Sequence, residues 1–136
     1  AAGVSRVLEV HGSSLRNYCT ECGKEFNMLY IYNSVGIPKC DICGKTVRPD
    51  VVLFDECLPP DVFDRAKKDI YNADMLIIVG TSLTVQPACS LINFYRGDDL
   101  IIMNLTPTSA DRYARLVIRD SADKVFEYLM EREYDF

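Results

Sequence analysis

The chain has 136 residues, 49% of them hydrophobic, enough for one domain with a real core and room for a small inserted module. Its net charge of −5 and the lack of a basic run argue against a nucleic-acid module, which would show a Lys/Arg face. No apolar run reaches the roughly 20 residues that span a bilayer, and no charged stretch leads into an apolar one as in a signal peptide. A cytoplasmic location with no membrane partner is therefore expected.

In chain order, Val7-Leu8-Glu9-Val10-His11 reads as a short strand ending at Gly12. Residues 15–48 are polar and turn-rich and read as a separate module. Val51-Val52-Leu53-Phe54 is an apolar run of strand length. Pro59-Pro60-Asp61 starts a helix that carries Val62, Ala66, Ile70 and Ala73 at helical spacing. Met75-Leu76-Ile77-Ile78-Val79 is uninterrupted and β-branched, the pattern of a parallel strand covered on both faces. A helix is expected over about 87–95, a turn at Gly97-Asp98-Asp99, and further strands at 100–105 and 116–118. A last helix over about 122–131 places Val125, Phe126 and Leu129 on one face. Strands alternating with helices predict an α/β, doubly wound parallel sheet. The frame is residues 1–14 and 49–136, and the inserted module is 15–48.

Within that module, Cys19 and Cys22 form one C-x-x-C pair and Cys40 and Cys43 a second. Gly23 and Gly44 each follow the second cysteine of a pair, where a tight backbone turn is needed. Four soft thiolates at this spacing suit a tetrahedral zinc ion of structural type. The competing readings are two disulfides or two redox pairs. Cys57 and Cys89 fall outside the set and read as free thiols in a reducing compartment.

Ligand chemistry in an open α/β sheet sits outside the carboxyl ends of the strands. Gly80-Thr81-Ser82 closes one strand, with a glycine that lets a ligand near the backbone and two hydroxyls that can donate to phosphate or ribose oxygens. Asn104 closes the next and can bond a ribose hydroxyl. Each also reads as an ordinary turn or cap. The chain holds no G-x-G-x-x-G and no P-loop. His11, the only histidine, reads as structural, and Cys57 has no basic neighbour to activate it.

Taken together, several segments resemble the C-terminal part of the sirtuins, NAD-dependent protein lysine deacylases. They are Val7-Leu8-Glu9-Val10-His11-Gly12-Ser13, the two C-x-x-C pairs, Arg48-Pro49-Asp50-Val51-Val52-Leu53-Phe54-Asp55-Glu56, Leu58-Pro59, Gly80-Thr81-Ser82-Leu83-Thr84-Val85-Gln86-Pro87-Ala88 and Ile102-Met103-Asn104-Leu105. The resemblance covers nearly the whole chain. It implies a partial Rossmann-like sheet with an inserted four-cysteine zinc module. It implies NAD as cofactor, with Gly80, Thr81 and Ser82 at its phosphates and ribose, Asn104 and Leu105 on the adenosine side, and Ala122 near the adenine. Val52, Phe54, Asp55 and Glu56 would lie along an acyl-lysine peptide, clamped as an added strand opposite Thr84 and Val85. The acyl group would pass to ADP-ribose as nicotinamide leaves.

The departures matter as much. The family's catalytic histidine belongs to an H-x-x-A-G motif whose end resembles Ala2-Gly3, so no catalytic residue is expected within these 136 residues. The Gly-Ala-Gly phosphate loop, the flexible cofactor loop and the Gln-Asn-x-Asp motif are also absent. Position 55 is Asp where the family usually has Gly. The chain alone is thus expected to bind zinc, to lack deacylase turnover, and to expose a sheet edge and an apolar face prone to self-association. Two alternatives are a zinc-ribbon interaction module, for which residues 15–48 supply Arg16, Lys24, Lys39, Lys45, Arg48, Tyr30 and Tyr32, and a non-catalytic NAD- or ADP-ribose-binding domain.

Overall fold

The computed structural model describes residues 4–132; Ala2-Gly3 lies outside them. The chain divides into two compact units, Ala1–Phe63 and Asp64–Phe136, and the division falls inside a helix, α2 (Pro60–Tyr71).

Among the described residues, the first unit is built on a three-stranded antiparallel sheet in the order β2-β1-β3. These strands are β1 (Gly12–Cys19), β2 (Glu25–Asn27) and β3 (Val47–Val51). A short helix, α1 (Met28–Tyr32), follows β2 and is capped by Asn27, whose Oδ1 accepts from the Tyr30 N–H at 2.9 Å. The pairing of β1 with β3 slips between Ser13 and Asn17, a bulge that turns Arg16 toward two carboxylates, Glu9 at 2.6 Å and Asp50 at 2.9 Å. Asn17 is buried beside the bulge and donates to the Ser14 carbonyl at 3.2 Å. Pro49 is tolerated in β3 because that strand lies at the sheet edge. Cys19, Phe26, Cys40 and Val47 form the small core.

The second unit carries three parallel strands in the order β4-β5-β6, namely β4 (Met75–Val79), β5 (Asp99–Met103) and β6 (Leu116–Ile118). Leu100, Ile102 and Ala110 form its core, with Leu76, Ile78, Leu83 and Ile92 packed against them. Tyr95 fixes the entry to the sheet. Its hydroxyl donates to the Asp74 carbonyl at 2.8 Å and accepts from the Asp99 N–H at 3.1 Å. Helix α3 (Ala122–Arg132) ends the described chain.

Four expectations need correction. Residues 7–11 form no strand; the strand begins at Gly12, where the chain is polar and lacks the apolar alternation that would reveal it. The strand expected at 51–54 ends at Val51, because the Leu53 N–H is taken by the Glu56 side chain and the Glu56 N–H by the Leu53 carbonyl. The helix at 87–95 is a 3-10 helix over Ala88–Phe94. Finally, β4 is not covered on both faces. Leu76 and Ile78 point to the core, whereas Met75 and Ile77 are 50% and 42% exposed. They line an open apolar groove of about 740 Å³ together with Ile101, Leu116, Phe126 and Leu129.

Candidate metal centre and ligand-facing strand ends

The two C-x-x-C segments fold into matched turns. In the first, the Cys19 N–H donates to the Lys24 carbonyl and the Gly23 N–H to the Cys19 carbonyl, at 2.9 and 3.1 Å. In the second, Cys40 and Gly44 donate to Lys45 and Cys40 in the same pattern, at 2.7 and 2.9 Å. Gly23 and Gly44 adopt φ of 71° and 70°, which only glycine takes without strain. Backbone N–H groups two residues on point at the sulfurs, Glu21 at Cys19 and Ile42 at Cys40, at 3.5 and 3.4 Å. Lys24 joins the two turns through a bidentate contact to Asp41 at 2.6 and 2.8 Å.

All four Sγ atoms lie within 4.8 Å of one another. Cys19–Cys43, Cys22–Cys40 and Cys22–Cys43 are separated by 3.4, 3.6 and 3.7 Å. The edge of a tetrahedron with zinc–sulfur bonds of about 2.3 Å is about 3.8 Å, while a disulfide needs about 2.05 Å. The cysteines are free thiols, so the disulfide reading fails and the geometry fits a structural zinc ion. Four thiolates leave such an ion no open position for catalysis. The electrostatics point the same way. The backbone N–H groups of Cys22 and Glu21 hold the Cys19 thiol down to about 6. Cys43, despite the Lys45 N–H, is pushed up to about 12 by its contact with Cys19 and by desolvation. Thiolates this close repel one another, so a dication that binds them must displace protons.

In the second unit, the expected cofactor residues gather at one end of the parallel sheet. Gly80, Thr81 and Ser82 follow β4, Asn104 and Leu105 follow β5, and Ala122 opens α3 after β6. The ends are tied side by side: the Gly80 N–H donates to the Met103 carbonyl at 3.0 Å, and the Asn104 N–H to the Ile118 carbonyl at 3.1 Å. Gly80 has φ of 60° and open space where a Cβ would stand, so a ligand can approach its backbone. Thr81 Oγ1 accepts from the Leu83 N–H at 3.2 Å, and the Ser82 and Thr84 hydroxyls share a hydrogen bond of 2.8 Å. Leu83 takes a φ of 56°, rare for a branched residue, and holds it because its side chain packs on the core.

The expected peptide residues lie on exposed surface, one group in each unit. Phe54 is 96% exposed, and Asp55 beside it has φ of 69°. Val52 is half-buried, its N–H tied to the His11 carbonyl at 3.1 Å, which gives His11 a backbone role. Thr84 and Val85 are exposed in the second unit. Glu56 is engaged within its own loop: it receives Arg48 at 2.6 and 2.9 Å and the Leu53 N–H at 2.9 Å. Those contacts hold its carboxyl down to about 2. Sequence reasoning missed Arg48 as the anchor of this turn, and it missed Arg119 and Asp111 at the β5 end. Arg48 reaches Glu56, and Arg119 reaches Asp111, across 8 residues, and Arg119 reaches Asn104 across 15; no periodic pattern marks these contacts.

The chain thus combines a parallel sheet, whose strand ends gather small polar residues, with a four-thiol site that fits a metal ion. A profile of the Sir2 family matches residues 1–87, and the chain belongs to that family. An NAD-dependent protein deacetylase of Clostridium acetobutylicum is 49% identical over 127 residues, covering 93% of this chain and 52% of its own length. One from Staphylococcus aureus is 41% identical over 129 residues, or 95% of this chain and 53% of its own length. The chain thus spans about half the length of the curated relatives it matches. Among solved structures, a Sir2 complex with a p53 peptide and NAD+ aligns with a TM-score of 0.88 and 31% identity, over 98% of this chain and 58% of the other. A Sir2 complex with the inhibitor EX-527, 2′-O-acetyl-ADP-ribose and deacetylated p53 peptide aligns with a TM-score of 0.88 and 32% identity, over 96% of this chain and 58% of the other.

Proposed function

We propose that this chain supplies the zinc-bearing unit and the NAD-facing strand ends of an NAD-dependent protein lysine deacylase. The observation that carries the reading is the tied row of strand ends, with open space over Gly80 and a buried Asn104 one strand across. When bound, NAD supplies an ADP-ribosyl group that accepts the acyl group from lysine as nicotinamide departs. The chain's own part is to bind and orient. The Gly80 backbone admits a phosphate closely, Thr81 and Ser82 present hydroxyls to it, and Asn104 and Leu105 flank the adenosine, with Ala122 near the adenine. Val52, Phe54 and Asp55, and separately Thr84 and Val85, are the proposed contacts for the acyl-lysine peptide, while Glu56 keeps its turn in shape. Cys19, Cys22, Cys40 and Cys43 hold zinc as a structural brace and take no part in the chemistry. Four reduced thiols fit a reducing compartment, and the cytoplasm is the proposed location.

No catalytic base is assigned within residues 1–136, so the reaction is proposed for the full-length protein. The isolated chain is proposed to lack turnover and to self-associate through the apolar groove beneath β4. The test is nicotinamide release with an acetyl-lysine peptide. The full-length protein should release nicotinamide only when both NAD and the peptide are present, and the 136-residue chain should not. NAD binding without release by the full-length protein would favour the non-catalytic reading.

A further inference from the structure

The carboxyl end of β5 is held by a network with a directional consequence. Asn104 is buried. Its Nδ2 donates to the Thr106 carbonyl at 2.9 Å and to Thr106 Oγ1 at 3.3 Å, so the amino end of the amide is turned toward Thr106. Its Oδ1 accepts from no group among the described residues. The Asn104 backbone carbonyl accepts from Arg119 Nη1 at 3.2 Å, and Arg119 Nη2 pairs with Asp111. Asp111 in turn accepts from the Thr108 N–H at 3.1 Å and from Thr108 Oγ1 at 2.7 Å. One guanidinium, placed just after β6, therefore holds both the residue that ends β5 and the turn that closes the loop behind it.

The geometry points to Arg119 as a positioning residue that, with Asp111, fixes Asn104 so that its amide oxygen faces the ligand and accepts from a ribose hydroxyl. This rests on the NAD-binding reading above. With its amino end turned to Thr106, Asn104 presents its amide oxygen, an acceptor, to the ligand. A hydroxyl has a proton to give, whereas an ionised phosphate has none. Arg119 commits Nη1 to the Asn104 carbonyl and Nη2 to Asp111, so its contacts brace the strand end and the turn behind it. The site thus selects an adenosine ribose with free hydroxyls over one that lacks them or carries a phosphate.

The experiment compares the full-length protein with its R119K, R119Q and D111N variants. It measures kcat and KM for NAD at saturating acetyl-lysine peptide, and for NAD analogues lacking one adenosine-ribose hydroxyl. The wild type should prefer NAD over one of these analogues. R119Q should raise KM for NAD about 5- to 10-fold, the worth of one hydrogen bond, with kcat within about twofold. The NAD-over-deoxy preference should shrink with it. R119K should recover part of the loss, since an ammonium can meet Asp111 but cannot span both partners. D111N should move the same parameters in the same direction. An unchanged preference in R119Q and D111N would overturn the inference, as would kcat falling together with the melting temperature. A wild type that binds no NAD would overturn the cofactor reading and this inference with it, whereas NAD use without any hydroxyl preference would overturn the inference alone.

Discussion

The two units hold themselves together in opposite ways. The first has a core of four side chains, two of them cysteines, and depends on metal geometry, matched turns and ion pairs. The second rests on apolar packing around Ile102, which is fully buried, and leaves one sheet face open. The metal site is local, completed by residues 19–43, whereas the strand ends proposed to face the cofactor are assembled from 80 to 122. A local site can form from its own segment. A distributed one exists only when the sheet does.

This contrast can be broken by experiment. Removing zinc with a chelator, or substituting Cys40→Ser, should unfold the first unit outright, because structural zinc contributes on the order of 10 kcal/mol in small modules. Hydrogen exchange should show protection lost over residues 12–51 and kept over 75–118; uniform loss would mean that the units do not differ as described. Ile102→Ala should lower the stability of the second unit by about 3–4 kcal/mol and leave zinc content unchanged by metal analysis. Gly12→Ala should cost about 2–3 kcal/mol, since Gly12 has φ of 73° and a Cβ there would stand 2.0 Å from the Asp50 carbonyl oxygen. Thermal melting of the first unit reports it.

Two smaller effects sharpen the picture within the first unit. Asp55→Gly should stabilise the 53–56 turn by about 1 kcal/mol, because a left-handed φ costs an L side chain that much; urea unfolding would show it. The Arg48–Glu56 contact has an acid limit. Glu56 titrates near 2 in the fold against an ordinary 4.5. Its contribution is therefore complete above about pH 4.5 and fades as pH falls toward 2. Glu56→Gln should flatten that part of the acid unfolding curve, a modest change for an exposed pair. An identical curve for the variant would remove Glu56 from the account.

How far the sequence foretold this depends on whether the signal was local. The four cysteines and their glycines were legible because metal coordination dictates their spacing. Strands β4 and β6 and helix α3 were legible from apolar runs and periodicity, and β5 to within two residues at its end. Strand β1 was not, since Gly12–Cys19 alternates nothing and carries a bulge. The open face of β4 was hidden too, because Ile77 reads the same whether covered or bare. The Arg119–Asp111–Asn104 network was invisible, as ion pairs between loops leave no pattern in one sequence.

The parallel pairing of β4 with β5 and β6 also bears on the order of events as the chain folds. Parallel neighbours cannot be joined by a hairpin, so each pairing waits for a crossover, through residues 80–98 and then 104–115. Every such loop must be closed before any contact rewards it, which slows the step. The C-x-x-C turns need only a few residues each and can form as the chain emerges. During synthesis the zinc unit can thus be complete while β4 is still an unpaired apolar strand, the interval in which this chain is most exposed to wrong partners.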